Sequence, residues 1–347
     1  MVYLKDFLYF LGRRAIGTVA IMFGVVVIVF LITHVLNPDP AALWAGARAR
    51  VTTVESIKAQ YHLGAPVLTQ LYYFIIDTFT GNLGTDPVTG RSISSEILFY
   101  APNTVELVLA SLVITVIIGV ALGYISGMHF STKIDSAIRI VYLATWATPY
   151  YLGAIAAILI FAVAIPILPS GGMYSQALTP PHSITGLFVI DSLLNLNFPD
   201  FISGIRHLIL PATVLAILDF GIVTRVTRSS VLDARWSTHV KSAKARGVPD
   251  GQANRRHILR NGLIDATTVS AVMFGWMLSG TVIIEEIFGW PGIGSFTYNA
   301  ILNYDYPALV PIVIFFTLGV VIANFAADVI YSVLDPRITL GDAQTQS

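Results

Sequence analysis

SSVLDARWSTHVKSAKARGVPDGQANRRHILRNG, residues Ser229–Gly262, is the polar stretch around which the rest of this chain is arranged. Long apolar stretches precede and follow it, and positive charge is concentrated in it. Its only acids are Asp233 and Asp250. We call residues 229–262 the basic segment. Its seven lysines and arginines are Arg235, Lys241, Lys244, Arg246, Arg255, Arg256 and Arg260.

The composition places the chain in a membrane. Of its 347 residues, 55% are hydrophobic and only 12% are charged, with a mean hydropathy of +0.74. A soluble domain carries about 25% charged residues, whereas lipid accepts apolar side chains on the outside of a helix bundle. Cysteine is absent, which excludes disulfides, thiolate metal sites and a cysteine nucleophile. The net charge of zero indicates no particular partner.

Six apolar stretches are long enough to cross the hydrocarbon core of about 30 Å as helices. The first exceeds the roughly 7–15 apolar residues of a signal-peptide core, so we interpret it as a permanent span. Pro149 falls inside the third stretch, where it predicts a kink, and Pro211 is a second internal proline in the fourth stretch. The predicted spans are Ala15–Leu36, Asn103–Met128, about Ile140–Ile165, His207–Thr224, about Ile264–Phe288 and about Ala308–Leu334.

The distribution of positive charge predicts the topology. If the N-terminus is cytoplasmic, 15 of the 20 lysines and arginines lie on the cytoplasmic side, as the positive-inside rule requires. Four of the five exceptions belong to one long loop, where that rule is weak. We therefore expect both termini and the basic segment in the cytoplasm. The five exceptions are Arg48, Arg50, Lys58, Arg91 and Arg206.

This topology divides the chain into four regions. In the extracytoplasmic loop region, Thr52 and Glu55 match a capping box for a short helix ending near Gly64, and Pro66 suits the first turn of another helix. The regions are 1–36 with the first span, 37–102 as the extracytoplasmic loop, 103–335 as a core with the other five spans, and 336–347 as a cytoplasmic tail.

The second span has two recognisable patterns. Asn103 and Glu106 match a capping box, which predicts that the helix begins there. Small residues then recur at every fourth position and form one stripe along the helix. Such a stripe is typical of a close helix–helix contact in a membrane and less typical of a ligand site. The stripe consists of Ser111, Thr115, Gly119, Gly123 and Gly127.

The basic segment has the pattern of two short helices. Ser230 with Asp233 suits a helix start, and Gly247 with Pro249 suits its end. A second helix is expected over Asp250–Asn261, leading into the fifth span. The first helix has an apolar stripe of Leu232, Trp236, Val240 and Ala243, and a polar stripe of Arg235, His239, Ser242 and Arg246.

Charge alone would also fit a segment that only obeys the positive-inside rule and contacts anionic lipid. Two ordered helices with an apolar stripe argue against that interpretation, because such a stripe needs a surface to cover it. A nucleic-acid partner is not expected, since an aromatic platform and a recognition motif are both absent from the sequence.

The basic segment contains Ala243-Lys244-Ala245-Arg246-Gly247, followed by His257 and Arg260-Asn261. With these and other short motifs in order along nearly its whole length, the chain resembles permeases of ABC importers, specifically the oligopeptide/dipeptide branch. The resemblance implies a type I importer fold in which this part of the basic segment couples the permease to an ATPase. The other motifs are Gly64-Ala65-Pro66, Leu83-Gly84, Asp191 with 207–211, 285–294, Asp305-Tyr306-Pro307, and Asp328 with 334–337.

The same resemblance implies a set of partners. These are a second, homologous permease subunit, two ATPase subunits that use ATP and Mg²⁺, and an extracytoplasmic substrate-binding protein, assembled in the plasma membrane of a prokaryote. The sequence has no Gly-x-x-x-x-Gly-Lys-Ser/Thr phosphate loop. We therefore expect a transport subunit that is not itself an enzyme and binds no cofactor or metal.

Four acids need a specific explanation. Asp219, Glu285 and Asp328 are candidates for the translocation path or for buried charges, because an acid at membrane depth faces protein or a water-filled route. For Asp219 we favour pairing or solvation over substrate contact. Asp219 and Asp265 also depart from the residues usual in the family.

Alternative functions are less well supported. A secondary transporter would favour internal repeats or paired broken helices, and no convincing repeat is found. An intramembrane enzyme lacks support because the histidines have no metal-ligand spacing and no catalytic acids are paired. Peptides are the expected substrates, with oligosaccharides as the alternative, and no cluster of histidines favours a metal chelate. The scattered histidines include His34, His129, His182 and His207.

Overall fold

The computed structural model describes residues 2–35, 39–45, 50–86 and 88–334, and these ranges form helices and connecting turns without a β-sheet. π-helical turns extend α1 to Val35 and α7 to Ala164, and a third, Asn254–Leu259, joins α11 to α12. The helices are α1 (Val2–Phe30), α2 (Pro40–Ala45), α3 (Val51–Gln60), α4 (Val67–Thr80), α5 (Ile93–Met128), α6 (Lys133–Trp146), α7 (Tyr150–Ile158), α8 (Phe188–Leu194), α9 (Phe198–Trp236), α10 (Thr238–Ala245), α11 (Asp250–Ala253), α12 (Arg260–Phe288), α13 (Ile293–Leu302) and α14 (Tyr306–Leu334).

Within these ranges, five helices are long and apolar enough to cross a membrane. The pair α6–α7 adds a sixth if its two bent halves count as one span. We call the end of the bundle that carries α2–α4 and α13 the loop end, and the end that carries α10 and α11 the basic end. The predicted tail 336–347 and the Leu334–Arg337 motif beyond Leu334 lie outside the described residues. The five apolar segments are Gly12–His34, Ile93–Met128, Phe198–Trp236, Asp265–Phe288 and Tyr306–Val329.

The predicted start of the second span is wrong. Helix α5 begins ten residues earlier, at Ile93, and runs through Pro102. Asn103 and Glu106 therefore lie inside the helix, where their side chains bind other elements. The Asn103 amide donates to the carbonyl of Pro291 at 2.6 Å, and Glu106 accepts the N–H groups at the start of α8. Capping residues do occur here, but they cap a neighbouring segment.

The other capping box is also wrong. Helix α3 begins after Arg50, without a side-chain cap, so Thr52 and Glu55 are already helical. The helix ends at Gln60, earlier than expected. Helix α4 begins directly after Pro66 and ends at Gly81, which has a left-handed φ of 77°. That backbone conformation favours glycine because it has no Cβ.

Pro149 breaks the third predicted span into two separate helices, where only a kink was predicted. Helix α6 ends at Trp146, α7 begins at Tyr150, and their axes differ by 100°. Proline lacks the N–H that would continue the α6 ladder, and it disfavours helical geometry in the preceding residue. By contrast, Pro211 lies inside a continuous helix α9.

Helix α9 is longer than predicted at both ends. It begins at Phe198, where the side chain of Asn197 accepts the N–H of Asp200, and it continues to Trp236. The helix start predicted at Ser230 is therefore wrong. The Ser230 hydroxyl instead contacts the carbonyl of Val226, four residues earlier, and the carboxylate of Asp265 on α12.

Helices α5, α7, α9 and α12 surround the main hydrophobic core. Leu107, Leu215 and Met277 are fully buried there, together with Phe288 and Trp290 at the loop end. Helix α14 packs against α12 and α1 and closes the bundle. The start of α12 and of α14 agrees with the predicted fifth and sixth spans to within four residues.

Candidate functional site

The basic end presents a short helix with a well-defined start and end. Helix α9 stops at Ser237, which has an extended backbone, and α10 follows immediately. After α10 the N–H of Val248 donates to the carbonyl of Ala243 at 3.2 Å, which closes the helix across Gly247. Gly247 has a φ of 82°, and no atom lies within 4 Å of a Cβ added there. Glycine is therefore needed for its backbone conformation and not for space.

Helix α10 has one face on the bundle and one face exposed. Val240 is buried against α9 and the segment before α12, in a cluster that includes Val231, Ala234 and Ile258, and Ala243 is also buried. The exposed residues include Lys241, Ser242, Ala245 and Arg246. Trp236, predicted on the apolar stripe, is 58% exposed, and the charged groups of Arg235 and Lys241 lie over its ring.

An ion pair fixes the end of α9 to the connection between α5 and α6. Arg228 Nε lies 2.8 Å from Asp135 Oδ1, and Nη2 lies 2.9 Å from Oδ2. Ser126 and the N–H of Ser131 also donate to this carboxylate, which is 1% exposed. Nearby, Arg235 Nη1 donates to the carbonyl of Met128 at 2.8 Å. These contacts join α9, α5 and α6 into one unit at the basic end, on which α10 packs.

The small-residue stripe lies against α9. A Cβ added at Gly123 would lie 2.6 Å from Cβ of Thr227 and 2.7 Å from the carbonyl oxygen of Thr224. Gly119 and Gly127 approach Val223 and Val231 as closely, and Ser111 and Thr115 are fully buried. Any side chain at these glycines would push the two helices apart, so α5 and α9 can lie in direct backbone contact.

Asp219 and Asp328 have partners on neighbouring helices. The Tyr150 hydroxyl, at the start of α7, donates to Asp219 Oδ1 at 2.9 Å, while Oδ2 is buried without a partner in the described part of the chain. Asp328 on α14 pairs with Arg14 on α1 at 2.8 Å. Asp265 bonds Ser230, as described above. The described partner of Asp219 is thus a neutral hydroxyl on α7.

Glu285 caps a helix at the loop end. It is fully buried, accepts the Thr104 hydroxyl at 2.8 Å, and accepts the N–H of Ser295 in the first turn of α13 at 3.1 Å. A Cβ at Gly292 would lie 2.3 Å from this carboxylate, so the glycine lets the chain pass close to it. The described contacts of Glu285 thus join α5, α12 and α13.

The structure brings together only part of the predicted coupling set. Ala243 is buried on the inner face of α10, Ala245 is exposed at its last position, and Arg246 is exposed in the turn that follows, which contains Gly247. His257 lies in the π-helical turn and Arg260 and Asn261 begin α12. The side chains of Lys244, His257, Arg260 and Asn261 lie outside the described part of the structure. Sequence reasoning missed the Asp135–Arg228 pair, because the two residues are 93 positions apart and neither belongs to a local motif.

Comparisons with known proteins show the family to which the chain belongs. Residues 119–340 match the family described as binding-protein-dependent transport system inner membrane component, and residues 7–123 match its N-terminal region. The chain is 35% identical over 334 residues to a probable D,D-dipeptide transport system permease of Escherichia coli K12, covering 96% of this chain and 98% of the relative. A dipeptide permease of Alkalihalophilus pseudofirmus is 31% identical, and an oligopeptide permease of Bacillus subtilis is 29% identical. Each alignment covers 94% of this chain and 98% of the relative. The chain therefore belongs to the binding-protein-dependent transport system inner membrane components, as a permease of the oligopeptide/dipeptide ABC type.

Proposed function

We propose that this chain is the membrane-spanning permease subunit of an ABC importer for peptides and that partner subunits hydrolyse ATP to drive it. The names of the relatives support the substrate class, since they are described as dipeptide, D,D-dipeptide and oligopeptide permeases. An importer of oligosaccharides is the alternative, and the relatives compared above do not favour it.

The proposed topology has six spans with both termini in the cytoplasm of a prokaryotic cell. It counts α6 and α7 as one broken span, which leaves the basic end cytoplasmic and the loop end outside. The charge bias of 15 to 5 among lysines and arginines supports this orientation.

The observation that carries the proposal is the exposed basic face of α10 on a fixed base. We propose that this face docks on an ATPase subunit. Its buried face is packed on α9, which is joined to α5 and α6 by the Arg228–Asp135 pair and by Arg235. A displacement of α10 would therefore move α9 and α5 together, and these helices form the centre of the bundle.

The remaining partners follow from this role. A second, homologous permease would complete the translocation path, and an extracytoplasmic binding protein would deliver the peptide to the loop end. Asp219 is interpreted as a contact between α7 and α9 rather than as a substrate ligand, because Tyr150 already bonds it. A self-contained secondary transporter would transport without any ATPase subunit. Uptake measured without ATPase subunits therefore distinguishes it from an ATP-driven importer.

The test is reversal of charge on α10. The double variant Lys241→Glu, Arg246→Glu is expressed with the partner permease, ATPases and binding protein, purified and reconstituted. Against a docking surface that complements a basic face, the reversed side chains place like charges opposite each other, which costs several kcal/mol. We therefore expect recovery of the ATPases and ATP-driven peptide uptake to fall by about tenfold or more.

The matched control is Lys133→Glu, an exposed basic residue at the same end but on α6. We expect it to assemble and transport as the wild type does. Unchanged assembly and uptake in the double variant would contradict docking through α10. Uptake without ATPase subunits would contradict the proposed function as a whole.

A further inference from the structure

The loop end contains a small cavity that the coupling and transport roles do not explain. It lies between the end of α1, helices α2–α4 and the start of α14, and its volume is about 40 Å³. That is room for about three water-sized groups. The lining residues are His34, Trp44, Tyr61, Tyr73, Phe74, Asp77, Thr78, Asn82, Leu83, Pro307, Val310, Pro311 and Ile314.

One wall of the cavity is a continuous set of aromatic rings. The His34 ring centre lies 4.9 Å from that of Trp44 and 5.1 Å from that of Phe74, and Trp44 lies 5.0 Å from Tyr61. Tyr73 adds a further ring. Aromatic rings carry negative potential on their faces and attract ammonium groups.

The charge of the lining also favours a cation. Asp77 contributes a carboxylate, and the described lining contains no lysine or arginine to neutralise it. Asp77 Oδ1 is held by the side-chain amide of Asn82 at 3.1 Å. Burial, with Asp305 and Asp77 nearby, raises the pKa of Tyr61 to about 12, so its hydroxyl stays protonated.

The cavity lining also offers a hydrogen-bond donor. Trp44 is 3% exposed, and its indole N–H has no acceptor in the described part of the chain. A buried donor without an acceptor is unfavourable. A ligand that satisfies both groups needs an ammonium for Asp77 and an oxygen close to it for Trp44.

The size and position of the cavity restrict the class of ligand further. A primary ammonium with one or two methylene groups fits about 40 Å³, whereas a whole peptide does not. Ile28, Leu31 and Ile32, on the last turns of α1 beside the cavity, are exposed apolar side chains, as expected for a surface in contact with acyl chains. We propose that the cavity binds a primary ammonium group with an adjacent oxygen, supplied by the head group of phosphatidylethanolamine. This requires that the chain lies in a membrane, but not that it transports peptides.

The test measures lipid retention by the full-length chain, purified with any subunits that accompany it, using native mass spectrometry. Equal amounts of phosphatidylethanolamine and phosphatidylglycerol are offered to wild type, Asp77→Asn and Trp44→Phe. We expect wild type to retain phosphatidylethanolamine preferentially, and each variant to reduce that preference by about fivefold, because one charge or one donor is lost. The controls are Glu55→Gln and Trp146→Phe, which change exposed residues outside the lining.

A second arm adds trialanine, whose N-terminal ammonium lies next to a carbonyl oxygen. Displacement of the lipid by trialanine in wild type would support the same amine chemistry with a peptide as its source. If both variants fail to fold, a photoactivatable phosphatidylethanolamine is cross-linked to wild type, and the labelled peptides should come from α1, α4 or the start of α14. Equal retention of both lipids by wild type, or labelling spread evenly along the chain, would overturn the proposal and leave only water in the cavity.

Discussion

At the scale of single residues, the Asp135–Arg228 pair is the contact on which the basic end depends most. The carboxylate is 1% exposed and accepts four hydrogen bonds from three residues, two of them from the guanidinium. Removing Asp135 leaves the Arg228 guanidinium, whose side chain is only 19% exposed, without its ion-pair partner. We expect Asp135→Leu to destabilise the protein by about 3–5 kcal/mol, measured as loss of thermal stability in detergent.

The double variant Asp135→Leu, Arg228→Leu distinguishes a charge effect from a packing effect. Replacing both members of a buried pair with apolar residues is often nearly neutral. We expect the double variant to be more stable than Asp135→Leu alone. A double variant that is less stable than the single one would mean that packing, and not charge, dominates at this site.

Tyr150 and its neighbour Tyr151 offer a matched comparison. Tyr150 donates to the buried Asp219, whereas Tyr151 is 53% exposed. Tyr150→Phe leaves both carboxyl oxygens of Asp219 without a described partner, so we expect a loss of about 1–3 kcal/mol. Tyr151→Phe should be nearly neutral. Equal thermal stability of the two variants would show that the hydrogen bond contributes nothing.

Asp305 provides a prediction of pH dependence at the loop end. It is 2% exposed and faces Asp86, with Glu96 and Tyr61 nearby, while its Oδ1 accepts the N–H of Ala308. Burial and the hydrogen bond to Asp86 raise the pKa of Asp305 to about 7, and the pKa of Asp86 is lowered despite burial, because backbone and side-chain donors, including Asp305, bond its carboxylate. The folded chain thus holds a proton on Asp305 that the unfolded chain releases near pH 4.

The sign of the effect follows from that proton. Between about pH 4 and pH 7 the folded state binds more protons than the unfolded state, so this residue's stabilisation is full at low pH and is lost as the pH rises through 7. We expect the melting temperature of wild type, relative to Asp305→Asn, to fall between pH 5 and pH 7.5. Asparagine is always neutral and can donate to Asp86, so a constant difference across this range would contradict the shared proton.

At the scale of helices, the contact between α5 and α9 depends on the absence of side chains. We expect Gly123→Ala to lower thermal stability markedly, because its Cβ would lie 2.6 Å from Cβ of Thr227 and the helices would have to separate. Gly24→Ala on α1 is the matched control, since no atom lies within 4 Å of its added Cβ. That change should be neutral or slightly stabilising, by up to about 1 kcal/mol from helix propensity. Similar effects of the two substitutions would mean that the stripe is not a packing surface.

The ends of helices were predicted well where apolar length determines them, and poorly where contacts with another element determine them. The starts of α12 and α14 followed from apolar length, and the stripe on α5 followed from its period. The start of α5 did not, because Asn103 and Glu106 look like local caps but bind Pro291 and α8, far away in sequence. The continuation of α9 through Ser230 depends on packing against α5 and α12, which a local capping pattern cannot reveal.

For the candidate site, sequence motifs located the segment but not the contacts that hold it. Gly247 and Pro249 correctly predicted where α10 ends, because Gly247 adopts the left-handed conformation that ends a helix and Pro249 restricts the backbone that follows. The anchoring residues Asp135, Arg228 and Arg235 were not predicted as a set, since side chains that meet across helices have no fixed sequence spacing. The direction in which Trp236 points was wrong for the same reason.

At the scale of the whole molecule, the proposed coupling role of Gly247 predicts that the turn after α10 affects transport. Its φ of 82° disfavours a side chain by about 1–2 kcal/mol, yet nothing lies near enough to clash. Gly247→Ala should therefore preserve overall folding while loosening the end of α10. We expect the reconstituted transporter to keep most of its ATP hydrolysis and to lose about half or more of its peptide uptake, because force applied to α10 would no longer pass through the rigid turn that joins it to α11 and, beyond α11, to α12. Gly251→Ala in α11 is the control, since it has helical geometry and equally open surroundings. If the ratio of uptake to ATP hydrolysis were the same in both variants and wild type, the turn at Gly247 would have no part in coupling.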